Sequence, residues 1–230
     1  TLMNAVKSKR LAHAYLFCGP RGVGKTTCAR IFAKAINCEH PTEQGEACNE
    51  CESCKAFNEG RSYNIFELDA ASNNSVENIK ALMDQTRIPP QVGRYKVFII
   101  DEVHMLSSAA FNAFLKTLEE PPAHVVFILA TTDADKLPAT ILSRVQQFFF
   151  RPIPTEIMAH QLINIAEKEG FGIEEGAARL IAERSRGGFR DGIRMLDQFS
   201  IFATADQPLT SAMVAEYLGL SDTSKLNGLL

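Results

Sequence analysis

Eight consecutive residues, Gly19-Pro20-Arg21-Gly22-Val23-Gly24-Lys25-Thr26, satisfy the spacing G-x-x-x-x-G-K-[S/T] in full. Glycines let a backbone turn so tightly that successive amide hydrogens converge on one anion, and the positive end of a following helix adds to the attraction. In that arrangement Lys25 reaches the β- and γ-phosphates of a nucleoside triphosphate, and the Thr26 hydroxyl ligates magnesium. Such chemistry needs a second half, an acid at the end of a buried strand. The run Val97-Phe98-Ile99-Ile100-Asp101-Glu102 supplies two acids. Asp101 would hold magnesium, directly or through water, while Glu102 could polarise an attacking water as a general base. Neighbouring strand residues point to opposite faces, so one acid can serve the metal and the other the water.

Four further residues fit this chemistry. Thr131 and Thr132 end another apolar run, and a hydroxyl there could position the γ-phosphate or the water, although Thr at a strand end is common. Ser143-Arg144 closes a short helix after Pro138. Arg144 either reaches a neighbouring subunit's nucleotide as a finger or caps its own helix C-terminus, where cations are favoured. Arg190 starts a helix, an unfavourable place for a cation, and this misfit points to a phosphate contact.

A separate constellation is Cys38, Cys48, Cys51 and Cys54, spaced C-x9-C-x2-C-x2-C within residues 37–55. In a reducing compartment such clusters are metal ligands more often than disulfides. Cysteines two residues apart at a tight turn can aim both thiolates at one ion but rarely suit disulfide geometry. The intervening Glu43, Gln44, Gly45, Glu46, Asn49 and Glu50 are polar and loop-like, which favours a closed zinc knuckle; an iron–sulfur cluster and a cluster without metal are the alternatives. Four thiolates leave no open coordination position, so the site is expected to be structural. Cys18 and Cys28 lie apart in apolar surroundings and read as small buried hydrophobes.

These residues need elements to position them. Strands are expected at residues 14–18, 64–68, 97–101, 125–130 and 145–150. Helices are expected at 25–36, at 75–87 with Ser75 as N-cap, and at 108–119, which Pro121-Pro122 stops. Strongly apolar strands separated by helices imply a parallel sheet covered on both faces. After residue 152 only helical periodicity remains, at about 155–169, 174–185, 189–203 and 211–218. The expected organisation is an α/β phosphate-loop domain over 1–152 carrying a four-cysteine module at 38–54, then a small all-helical lid over 153–220, then the start of a further region at 221–230. With 46% hydrophobic and 22% charged residues, the 230-residue chain is of ordinary globular composition. A net charge of -3 excludes a generally cationic surface for nucleic acid, so any such contact must be local. No apolar run reaches the roughly 20 residues of a membrane span, and no cationic start with an apolar signal core is present. A cytoplasmic protein without membrane contact is expected.

Together these features resemble the AAA+ ATPases and, within them, the gamma/tau family of bacterial DNA polymerase III clamp-loader subunits. The stretches that carry the resemblance are HAYLFCGPRGVGKTTCARIFAKAINC, the cysteine module, ELDAASN, YKVFIIDEVHMLSSAAFNAFLKTLEEPP, ILATTDADKLPATILSRVQQF and GGFRDGIRMLDQ. The resemblance implies a five-stranded parallel sheet and a magnesium-dependent ATPase, slow without its partners, that opens and loads a sliding clamp on primed DNA. It implies ATP, Mg²⁺ and Zn²⁺ as cofactors, with Gly19 through Thr26 and also Thr27 against the nucleotide. Thr132 would be the first sensor, Arg144 a finger acting on the adjacent subunit, and Arg190 the second sensor. The implied partners are delta and delta-prime subunits, other gamma/tau copies, the sliding clamp and primer–template DNA.

Two departures from the family pattern stand out. Part of a segment that helps hold adenine ahead of the first strand is not in the sequence, so weakened nucleotide affinity is expected. Asn73, Asn74 and Ser75 stand where the family often has basic residues, so DNA contact there would rest on amides and a helix end. With the collar only beginning at 221–230, weak self-association is expected. Two rival readings compete. A DExH helicase would need a second nucleotide-closing domain that the helical tail does not supply. A non-hydrolysing scaffold subunit conflicts with the intact Lys25, Thr26, Asp101 and Glu102.

Overall fold

The computed structural model describes residues 2–204 and 207–220; the region expected to begin at residue 221 lies outside them. The chain divides into two compact units, one formed by Thr1–Gly19 with Gly24–Phe150, the other by Pro20–Val23 with the chain from Arg151 on.

In chain order the first unit contains α1 (Leu2–Ser8), β1 (Ala14–Cys18), α2 (Lys25–Asn37), α3 (Glu52–Asn58), β2 (Ile65–Asp69), α4 (Val76–Thr86) and β3 (Lys96–Asp101). Then follow α5 (Ser108–Glu119), β4 (Val125–Thr131), α6 (Ala139–Leu142) and β5 (Gln146–Phe149), with 3₁₀ turns at Val103–Met105 and Ala134–Lys136. The five strands run parallel in the order β2-β3-β4-β1-β5. The central strands β1, β3 and β4 are buried along almost their whole length, which is why they read as unbroken apolar runs. Alternation then sorts their side chains. Leu16, Phe98, Ile100, Phe127 and Leu129 meet α4 and α5, whereas Tyr15, Phe17, Val97, Ile99 and Ile128 meet α2.

Caps set the helix boundaries. The Ser75 hydroxyl accepts from Asn78 N–H at 3.2 Å, as expected at the start of α4, and Ser107 does the same for α5 through Ala110 N–H at 3.2 Å. At the other end of α4, the Lys96 ammonium donates to Gln85 O at 3.1 Å and His124 Nε2 donates to Thr86 O at 2.9 Å. Burial lowers the Lys96 pKa, and the carbonyl end of the helix offsets part of that cost.

The second unit packs α7 (Thr155–Glu169), α8 (Glu175–Arg184), α9 (Phe189–Ser200) and α10 (Ser211–Tyr217) around Met158, Leu162, Ile181, Leu196 and Phe199. Its helices fall where periodicity places them, except that α9 stops at Ser200, short of the expected 203. Two short helices, α1 and α3, were not expected from the sequence.

Phe127 is fully buried in the sheet, its ring 5.6 Å from that of Phe98 and 5.1 Å, edge to face, from that of Phe114. Phe127→Ala should cost about 3–5 kcal/mol of first-unit stability; denaturant unfolding that shows less than about 1 kcal/mol would contradict this packing.

Candidate nucleotide site and cysteine cluster

The phosphate loop leaves β1 after Cys18, and its root is pinned on both sides. Gly19 N–H donates to Thr131 O at 3.2 Å, and Phe150 N–H donates to Cys18 O at 2.7 Å. Gly19 has φ +154°, and a Cβ there would lie 2.4 Å from Phe150 O, so the position excludes every other residue. Gly24 precedes α2 in the left-handed region at φ 94°, ψ 17°, with no side chain capping the helix. The first rung of α2 is Cys28 N–H to Gly24 O at 2.8 Å, so the amides ahead of it face out of the helix N-terminus, where an anion is favoured.

Lys25 is buried, and its ammonium donates to Gly19 O at 2.8 Å. The Thr26 hydroxyl donates to Asp101 Oδ2 at 2.5 Å. Because β4 lies between β1 and β3, this bond passes over the end of an intervening strand. An oxygen from the first turn of α2 and one from the end of β3 thus stand side by side, a donor set suited to a hard cation such as magnesium. Asp101 Oδ1 accepts from Glu102 N–H at 2.9 Å.

The two acids are separated differently from the expectation. Strand alternation does not do it, because β3 ends at Asp101 and Glu102 takes a left-handed conformation, φ 47°, ψ 44°. A non-glycine residue there carries a cost of about 1–2 kcal/mol, and such conformations cluster at functional sites. The turn delivers the Glu102 carboxylate to Thr132, whose amide and hydroxyl donate to Oε2 at 3.3 and 3.1 Å. Thr131 is fully buried and engages His104 and Asp133 instead. Gly19, Lys25, Thr26, Asp101, Glu102 and Thr132 therefore converge at the carboxyl ends of three neighbouring strands, with Thr27 exposed on α2 beside them.

Arg144 is engaged elsewhere. Its Nη1 donates to Thr140 O at 2.7 Å, capping α6, and its Nη2 donates to Glu119 Oε1 at 3.0 Å. Pro20, Arg21, Gly22 and Val23 belong to the second unit, where Phe189 N–H donates to Gly22 O at 2.9 Å and Arg190 stands exposed in the first turn of α9. Sequence reasoning missed His104 and Glu119 as partners of these groups. The only signal for His104 was its place in the D-E-V-H run.

The four cysteines do come together. All their Sγ atoms lie within 4.8 Å of one another. Cys38 ends α2, Cys51 caps α3, Cys54 sits in the first turn of α3, and Asn49 turns the chain between Cys48 and Cys51 at φ 63°. Backbone amides serve the sulfurs: Cys48 N–H donates to Cys38 Sγ at 3.3 Å, and the N–H groups of Glu50 and Cys51 donate to Cys48 Sγ at 3.4 and 3.3 Å. The amides of Glu50 and Cys51 hold the Cys48 thiol down to about 6. Burial, and then Cys51, push Cys54 up to about 12. Thiolates about 2.3 Å from one tetrahedral ion stand about 3.8 Å apart, so the cluster fits a single ion. A multi-iron cluster would hold its sulfurs farther apart. Cys18 and Cys28 take no part, and burial raises both thiols.

The sheet order, the loop and the acid pair define a P-loop nucleotide-binding domain of the AAA+ type. The Holliday junction branch migration motor RuvB of Thermotoga maritima shares the fold, with a TM-score of 0.67 at 22% identity over 95% of this chain and 65% of that one. The family profile described as "DNA polymerase III, delta subunit" matches residues 1–154. The DNA polymerase III subunit tau of Bacillus subtilis is 50% identical over 203 residues, 88% of this chain and 36% of its own length. The tau/gamma subunit of Haemophilus influenzae is 47% identical over 221 residues, 96% of this chain and 32% of its own. The chain belongs to this family of DNA polymerase III subunits, and it spans about a third of the length of these two relatives.

Elemental analysis should find about one zinc per chain, and Cys54→Ser should lower both the metal content and the thermal stability of the knuckle. Iron in place of zinc, or full stability after chelation, would overturn the structural-zinc assignment.

Proposed function

We propose that the chain is the ATPase motor segment of a clamp-loader subunit, using ATP binding and hydrolysis to open a sliding clamp and load it on primed DNA. The observation that carries this reading is the Thr26–Asp101 contact, which joins the phosphate loop of β1 to the acid of β3. Membership of the DNA polymerase III subunit family supports the replication setting.

In this reading the loop amides from Gly19 to Thr27 cradle the phosphates, and Lys25 leaves Gly19 O for the β- and γ-oxygens. Thr26 and Asp101 hold the magnesium, which when bound neutralises charge on the transferring phosphoryl group. Glu102 takes a proton from the attacking water, with Thr132 fixing its carboxylate. Arg144 acts on the neighbouring subunit's nucleotide and Arg190 on the γ-phosphate. Zinc at Cys38, Cys48, Cys51 and Cys54 is structural. The partners are delta and delta-prime subunits, further gamma/tau copies, the clamp and primer–template DNA, and the location is cytoplasmic. Among the described residues no helix is long and apolar enough to cross a membrane.

A turnover assay of the full-length chain with partner subunits, clamp and primed DNA tests the assignment. Lys25→Ala should abolish nucleotide binding, whereas Glu102→Gln should keep binding and lower kcat by about 10²–10⁴-fold. Undiminished hydrolysis in both variants would leave only a scaffold role. For Arg144→Ala in mixed assemblies, the neighbour's turnover should fall about 10³-fold or more while nucleotide binding at the variant's own site persists. Equal damage to its own binding would remove the role in trans.

A further inference from the structure

Glu102 turns the chain directly into the 3₁₀ turn Val103–Met105, closed by Met105 N–H donating to Glu102 O at 2.8 Å. That turn folds His104 back beside the carboxylate. Its Nδ1 lies 2.9 Å from Thr131 Oγ1 and 3.5 Å from Glu102 Oε2, and the ring is almost wholly buried.

The neighbours of Thr131 decide which ring nitrogen carries the proton. The Thr131 hydroxyl accepts from Asp133 N–H at 3.0 Å and donates to Asp133 O at 3.1 Å. A hydroxyl has one proton, and the carbonyl can only accept it. With the hydroxyl proton given to Asp133 O, His104 Nδ1 donates to Thr131 Oγ1, the arrangement that keeps all three contacts. The same proton is the only arrangement that suits Glu102, because a bare nitrogen lone pair would face a carboxylate. With Nδ1–H in place, the Glu102 Oε2 atom has Thr132 N–H, Thr132 O–H and the edge of a donating imidazole around it. Oε1 has no hydrogen-bond partner among the described residues.

We infer that His104 is a positioning residue for the water-activating carboxylate: with its Nδ1–H given to Thr131, the donor edge of its ring faces Oε2 of Glu102 at 3.5 Å and favours the orientation in which Oε1 is the oxygen presented to water. This rests on the reading of Glu102 as the base. The effect belongs to orientation, so it should appear in kcat and leave nucleotide affinity alone.

Asparagine and glutamine separate the two ring nitrogens, since the amide nitrogen of Asn falls near Nδ1 and that of Gln near Nε2. In the assembled complex, H104N should retain most of kcat while H104Q loses about tenfold or more, both with unchanged nucleotide Kd. Equal losses in H104N and H104Q, or none in H104Q, would overturn the inference. A second readout does not depend on activity. In the ¹⁵N spectrum of histidine-labelled protein, neutral His104 should be protonated at Nδ1 and lose that preference in Thr131→Val; an Nε2–H form in the unaltered protein would overturn it. If Glu102→Gln leaves turnover intact, the base reading fails whatever the tautomer. If Glu102→Gln stops turnover and H104Q does not, only the role of His104 fails.

Discussion

The contact on which the site depends is the hydrogen bond from Thr26 Oγ1 to Asp101 Oδ2. It exists because parallel strands all finish on the same edge, and because β4 lies between the strand that carries the loop and the strand that carries the acid. Gly19 N–H on Thr131 O keeps the loop's root at the level of the strand ends. The glycine at position 19 is therefore demanded by packing against Phe150 as much as by the anion.

Much of this was legible in the sequence because its physical basis is local. Buried parallel strands read as apolar runs, the phosphate loop has a fixed spacing, and Ser75 announces α4. The cysteine spacing foretold a cluster, and the thiols do converge. The short helix α3 was hidden because its first turn is occupied by a metal-type ligand pair, Cys51 and Cys54, and its seven residues show too little periodicity. The separation of Asp101 from Glu102 was misread for a different reason. Alternation holds only while the strand continues, and nothing local marks Glu102 as the residue that turns left-handed. His104 and Glu119 were out of reach because their partners are distant in sequence and meet only in the folded sheet.

α2 has two duties. Its first turn follows the phosphate loop, and its last residue, Asn37, with the C-cap Cys38, anchors the other end. Thirteen residues make a rod of about 20 Å. Asn37 accepts the amides of Arg94 and Tyr95 through Oδ1, tying the helix to the entry of β3, and Lys34 donates to Asn49 and Asn58 of the cysteine module. A module too polar to bury a core of its own is thus fastened to the helix whose opposite end holds Lys25 and Thr26. An ion held by the four cysteines would supply folding energy to the module and would steady the far end of that rod.

Two charged groups of the site are held in opposite ways, and the difference suits their proposed roles. Glu102 is fixed by a strained backbone turn, two Thr132 donors and the His104 ring within its own unit, so its carboxylate needs no partner subunit to be oriented. Arg144 lies at the surface on a single carboxylate, Glu119, and a helix-end carbonyl. An exposed pair of this kind is worth about 0–1 kcal/mol, so a phosphate presented by a neighbouring molecule would outcompete it. A residue that must act across an interface gains from a weak resting partner, because the contact orders the side chain without holding it back.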